Sequence, residues 1–453
     1  MMDSRVKREN DKEMTGNDYL LFTTTSRKTV KLARLWLYNA VFALGVAGLF
    51  ALPPVILRKT LAGVADAQRI FDTALIIHVN MSVLVWLISI CCMVFSMRSA
   101  EKIYFFSRGS AFLAMFGTIL MAVSPFIAHS VPYTNNYIPA LGNIWFLLGL
   151  ACFAAGVILQ SAVCLLSFRF SWKFDDNFAR SFAAYSTAII ILIAFLCFTL
   201  SGHELKNATL APKDYYENLF WAGGHILQFA YIQMMIFAWA WVGRVESKPW
   251  QPIFIYSFAL AMVIAAPFVY LEYPALSGEH ADFFTRQMQY GLGIAPLMAG
   301  MALLFSRRKA GVMAPEKNAI IFSLILFIAG GMIGFMIQGS NAIIPAHYHG
   351  SIVAVTLSFM ALVYDVLPRL GFKKATGKIA AWQPIIYGTG QLMHISGLAI
   401  MGGYGALRKT ANSSAAIDTT IGKTLFFSGG GLAIIGGFLF VFITVKAMLE
   451  KDV

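Results

Sequence analysis

The chain has 453 residues, 58% of them hydrophobic and only 13% charged, with a mean hydropathy of +0.69. That composition excludes an ordinary soluble enzyme and describes a protein that crosses a membrane many times. The net charge of +13 does not indicate nucleic acid, because the cations fall in loops that alternate along the chain.

Residues 1–30 are polar and precede the first apolar run without a cleavage site, so they read as a cytoplasmic tail and not a signal peptide. The expected division is a tail at 1–33, a membrane domain at 34–448 and a short cytoplasmic end at 449–453, with no second soluble domain. Twelve apolar runs are long enough to span, at about 20 residues each. They lie near 34–57, 73–97, 109–130, 139–166, 180–201, 216–242, 251–273, 284–306, 318–338, 343–367, 381–403 and 422–447. The predicted fold class is therefore all-α, a polytopic membrane protein of 12 transmembrane helices. The run 139–166 is long and is expected to tilt.

Lys and Arg alternate between the loops. The tail, Arg98/Lys102/Arg108, Arg244/Lys248, Arg369/Lys373/Lys374/Lys378 and Lys446/Lys451 mark one side. The other side is poorer in cations, with none between 131 and 138 or at 339–342. By the positive-inside rule both termini are expected in the cytoplasm. The five cysteines all lie inside apolar runs without CxxC or CxxCH spacing, so they read as packing residues.

The eight histidines are His78, His129, His203, His225, His280, His347, His349 and His394. In this topology every one falls in the outer half of its span or in an outer loop. His78, in Ile77-His78-Val79-Asn80, is expected one to two turns inside the second span. It is either an axial ligand or a hydrogen-bonded structural histidine. In the sixth span, Trp221-Ala222-Gly223-Gly224-His225 has paired glycines that admit either a bulky planar group or a neighbouring helix. Here His225 is expected about two and a half turns inside.

The tenth span opens with Pro345-Ala346-His347-Tyr348-His349. Residues i and i+2 of a helix point roughly 200° apart, at about 100° per residue. These two imidazoles cannot share one metal, but each can reach a different group on opposite sides of the helix. Histidines inside membrane helices are costly and usually functional. Two ligated groups held close together suggest haem. In the last outer loop, Arg408 and Lys409 are either a pair that neutralises haem propionates or an ordinary solvated pair.

A span-two histidine, Trp-x-Gly-Gly-His in span six and Pro-Ala-His-Tyr-His in span ten of twelve resemble the catalytic subunit of the haem–copper oxidase superfamily, which includes cytochrome oxidases and nitric oxide reductases. The resemblance covers about 34–447. It implies that His78 and His349 hold a low-spin haem and that His347 holds a high-spin haem. It implies that His225 is the first ligand of a second metal, copper or non-haem iron. It makes Arg408 and Lys409 the propionate pair. The chain departs from the family pattern in span seven, where Ile264-Ala265-Ala266-Pro267-Phe268-Val269-Tyr270 contains no His-His pair. His280, in the following outer loop, supplies at most one further ligand. Four residues after His225 stands Phe229, where the family has tyrosine or glutamate. With Asp72, Glu217, Glu272 and Asp365 near span ends and no carboxylate deep in a span, proton pumping is not expected.

The implied activity is electron transfer from cytochrome c or quinol, through the low-spin haem, to a high-spin haem that binds oxygen or nitric oxide. A bacterial cytoplasmic (inner) membrane, small accessory subunits and no nucleic acid complete the expectation. Two alternatives stand beside it. One is a dihaem electron-transfer or gas-binding protein without the second metal. The other is a cofactor-free secondary transporter.

Overall fold

The computed structural model describes residues 26–60, 66–168, 175–307, 311–406 and 420–450. In hydrocarbon every backbone N–H and C=O must be satisfied within the chain, and long apolar runs meet that demand as helices. The first three helices are α1 (Arg27–Thr60), α2 (Ala67–Arg98) and α3 (Tyr104–Ile127). A short hairpin follows, β1 (Pro132–Tyr133) against β2 (Ala140–Leu141), with Pro132 opposite Leu141. Then come α4 (Ile144–Leu166), α5 (Asp176–Glu204), α6 (Pro212–Val242) and α7 (Trp250–Leu271, its last turns 3-10 helical). The last five are α8 (Gly278–Phe305), α9 (Ala314–Gly334), α10 (Ile343–Arg369), α11 (Lys378–Gly403) and α12 (Thr420–Leu449).

Among the described residues, eleven of these helices are long and apolar enough to cross a membrane. The twelfth, α11, has the length but carries Gln383, Gln391 and His394, which dilute its apolar content. It packs between α9, α10 and α12 as an integral member of the bundle.

Local chemistry sets the helix starts. Asn143 accepts a hydrogen bond from Phe146 N at 2.8 Å and Asp175 from Phe178 N at 2.7 Å, each filling an orphan donor of the first turn. Pro212 and Pro315 sit in the opening turns of α6 and α9, where a missing N–H costs nothing. The stretch 139–166 is not one long tilted helix. Its first residues complete the hairpin, where Gly142 N donates to Val131 O at 2.8 Å, and the helix waits for the Asn143 cap. The eighth span is broken at Leu292–Gly293 into Gly278–Gly291 and Ile294–Phe305.

Most successive helices pack side by side, α8 and α9 being the exception, and α12 returns against α1. Three helices form its centre. The spans of α2, α6 and α10 are 72%, 83% and 83% buried, and no other of the eleven exceeds 61%. α6 packs on α10, and the second half of α2 touches both. These are the helices that carry His78, His225, His347 and His349.

Candidate functional site

His78 is half-buried on α2, roughly 16 Å from the start of the helix at about 1.5 Å per residue. It lies deeper than the sequence suggests because α2 begins at Ala67, ahead of the apolar run. Its Nδ1 lies 2.8 Å from Ala47 O of α1. Immediately after it the helix widens into a π-helical segment, Asn80–Val85, a distortion that often marks functional helices. Asn80 Nδ2 bridges Ile76 O at 2.9 Å and Pro139 O at 2.7 Å, fastening this segment to the hairpin.

On α10, His347 and His349 diverge as their spacing requires. His347 turns to α9, with Nδ1 2.7 Å from Gly330 O. His349 turns to α11, where its ring centroid is 5.2 Å from that of His394. Its Nδ1 is 2.8 Å from Pro345 O, one turn back. Glycines allow the first contact. A Cβ at Gly330 would lie 2.6 Å from Ser351 N, and one at Gly334 would lie 2.7 Å from His347 Nδ1.

These contacts fix tautomers. A carbonyl oxygen only accepts, so each bonded Nδ1 carries the proton and the lone pair remains on Nε2. His78, His347 and His349 share this arrangement. So does His394, with Nδ1 3.0 Å from Phe426 O and its ring stacked on Phe426. The sequence reading left His394 without a role. Its signal was present, as a histidine inside an apolar run, but nothing in the sequence places it beside His349.

His225 differs. Its Nδ1 bonds Trp221 O at 2.8 Å, and its Nε2 meets the Tyr137 hydroxyl at 2.7 Å. Nδ1 carries the proton, so Nε2 accepts from Tyr137. Burial, and then the negative charge of Glu217, pushes the Tyr137 phenol pKa up, which keeps it a donor. Tyr137 sits in the hairpin turn between α3 and α4 and went unnoticed in the sequence, where no motif marks it. It also resolves the paired glycines. Gly223 accommodates the neighbouring helix, since a Cβ there would lie 2.6 Å from Ala194 O of α5. Gly224 accommodates a planar group, since a Cβ there would lie 2.3 Å from Cγ of Tyr137.

His280, in the first turn of α8, is 0% exposed, and neither ring nitrogen has a hydrogen-bond partner. Its ring lies 4.8 Å from Tyr270 and 4.9 Å from Phe284, and Phe284 lies 6.4 Å from His225. Trp221 Nε1 donates to Ala281 O at 3.2 Å, tying α6 to this turn. His129 and His203 are exposed, apart from the central helices. Arg408 and Lys409 lie outside the described residues. Among the described residues, no three His, Cys, Asp or Glu side chains converge to hold a metal ion. Of the carboxylates, Asp365 pairs with Arg369 at 3.0 Å and accepts from Trp241 Nε1 at 2.8 Å. Glu316, overlooked in the sequence, is buried in the first turn of α9.

No family model matches the chain. The cryo-EM structure of a heme-copper terminal oxidase dimer has a similar fold, with a TM-score of 0.59 and 15% identity over 92% of this chain and 84% of that one. The bundle thus shares its fold with that oxidase. An uncharacterized protein of Aquifex aeolicus is 26% identical across 77% of this chain and 88% of its own length. The uncharacterized protein RP382 of Rickettsia prowazekii is 32% identical across 94% of this chain and 98% of its own length. At that identity and coverage, the chain belongs to the same family as RP382.

Proposed function

We propose that the chain is a dihaem membrane oxidoreductase of the terminal oxidase or reductase type. His78 and His349 would hold a low-spin haem and His347 a high-spin haem, which would supply electron transfer and the binding of oxygen or nitric oxide. One observation carries the reading. On two of the three central helices, His78, His347 and His349 each have Nδ1 committed to a backbone carbonyl and a lone pair on Nε2. Histidines that ligate iron are oriented in this way by a hydrogen bond on the other nitrogen. That donor chemistry suits haem iron, and the fold shared with a heme-copper terminal oxidase supports the same reading.

Bound haem would supply one-electron chemistry and an open position for a diatomic gas. The chain's own residues do the rest. Ala47 O, Pro345 O and Gly330 O hold the three imidazoles in one tautomer and orientation. The apolar centre of the bundle, with Ile76, Ile77 and Met81 fully buried around His78, excludes water and lowers the local dielectric. Because His347 and His349 sit two residues apart on opposite faces of α10, one helix would bridge the two haems. Arg408 and Lys409 are assigned to the propionates. The electron donor is cytochrome c or quinol, with accessory subunits as further partners. The membrane is the bacterial cytoplasmic membrane, with both termini inside, by the alternation of Lys and Arg.

The test is a reduced-minus-oxidised spectrum of the purified protein, with carbon monoxide added to the reduced form. Wild type should show low-spin haem bands and a carbon monoxide shift. His78→Ala and His349→Ala should each lose the low-spin bands. His347→Ala should lose the carbon monoxide shift and keep them. Absence of Soret absorption in a fully expressed, folded sample would leave a cofactor-free transporter.

A further inference from the structure

The fold neighbour is a heme-copper enzyme, so copper or an equivalent second ion is the other group that this fold implies. The residues here do not fit one. A metal ligand must present a free lone pair, and a bare ion in a protein takes three or more such donors. His225 presents none, because Nδ1 is bonded to Trp221 O and Nε2 accepts the Tyr137 hydroxyl at 2.7 Å. Span seven contributes no imidazole over Ile264–Tyr270. His280 retains its lone pair, but it stands between the rings of Tyr270 and Phe284. No third His, Cys, Asp or Glu joins it among the described residues.

The Tyr137–His225 contact is built in. Gly224 is the residue that lets the Tyr137 ring reach α6. The ring packs 4.6 Å from His225 and 5.7 Å from Trp221. The adjoining residue, Asn136, donates from both its backbone N and its side chain to Glu217 of α6. A loop fastened at two points places one hydroxyl against one imidazole.

We propose that Tyr137 takes the place of the second metal: its hydroxyl donates to the His225 Nε2 lone pair, and the aromatic cluster around His225 and His280 is metal-free. The pair offers a neutral O–H···N hydrogen bond at the position the resemblance gave to copper or iron.

The experiment counts metals and haem separately on the full-length protein. Cells are grown with added copper and iron, and the protein is purified without chelator. Copper and total iron are measured by mass spectrometry, and haem by its pyridine adduct. The expected result is less than about one-tenth of a copper or non-haem iron ion per chain. Near one ion per chain in wild type, falling at least fivefold in folded His225→Gln, would overturn the proposal. An ion retained unchanged in His225→Gln lies elsewhere and leaves the cluster metal-free. Tyr137→Phe adds an independent arm, because it frees Nε2 without removing the ring. That variant should take up added Cu(I) at least tenfold more tightly than wild type, and Tyr137→Phe/His225→Gln should lose the gain. Equal uptake by wild type and Tyr137→Phe would show that the hydroxyl does not block the site. Haem content alone decides the function proposed above, so the two ideas fail on different measurements.

Discussion

Gly334 sets the position of His347. As the last residue of α9 it leaves the ring room to reach Gly330 O, and a methyl group there would sit 2.7 Å from Nδ1. Alanine is the better helix former by roughly 0.5–1 kcal/mol, so Gly334→Ala should not weaken the helix itself. The ring must move instead. The expected outcome is a lost or shifted carbon monoxide difference spectrum with low-spin bands intact, and it is read in the same spectra as the histidine variants. An unchanged spectrum would show that Gly330 does not orient His347. Gly224 works by the same logic toward Tyr137.

At the scale of the element, small residues decide which helices touch. A Cβ on Gly117 of α3 would lie 2.4 Å from Gly149 O and from Phe153 N of α4. The reciprocal Cβ on Gly149 would lie 2.8 Å from Gly117 O. Close backbone approach of this kind replaces hydrophobic driving force inside a membrane. Backbone has no spare rotamer, so Gly117→Leu must separate the two helices. The expected loss is at least the ~1–3 kcal/mol typical of overpacking, read as a lower melting temperature in detergent. Gly109→Ala is the control, because a Cβ there meets nothing within 4 Å, and its melting temperature should not fall.

At the scale of the molecule, the loop after α10 is fastened to the end of α12. Lys373 N donates to Ala447 O at 3.1 Å, and Lys373 Nζ meets Glu450 Oε2 at 2.8 Å. The hydrogen bond from Lys373 holds the Glu450 carboxyl below the usual carboxylate pKa. A lowered folded pKa stabilises above the unfolded value, and that stabilisation is lost as pH falls through the folded one. Both side chains are exposed and screened by solvent. Glu450→Gln should therefore lower the melting temperature slightly at pH 7. The gap to wild type should close as pH drops below the normal carboxylate range. A gap that persists or widens in acid would place the effect outside this ion pair.

Most of the architecture was legible because hydrocarbon imposes one rule. A run of about 20 apolar residues has to become a helix, and twelve runs gave twelve long helices. The hairpin at 132–141 was hidden because Pro132, Tyr133, Ala140 and Leu141 read as loop and span end, and only antiparallel pairing makes them a unit. The divergence of His347 and His349 was likewise local, since 3.6 residues per turn dictates it. The partners of each histidine were not local. Ala47 precedes His78 by 31 residues, His394 follows His349 by 45, and Tyr137 precedes His225 by 88. Such pairs depend on which helices become neighbours, and that choice rests on glycine-permitted packing across the bundle. The sequence by itself determined the membrane class, the helices and the opposed faces of Pro345-Ala346-His347-Tyr348-His349. Only the tertiary structure decided that Nδ1 of His78, His347 and His349 is committed to a backbone carbonyl, whereas both ring nitrogens of His225 are engaged, Nε2 by the Tyr137 hydroxyl. A lone pair's occupancy is set by the atom 2.7 Å away, and no spacing along a chain specifies that atom.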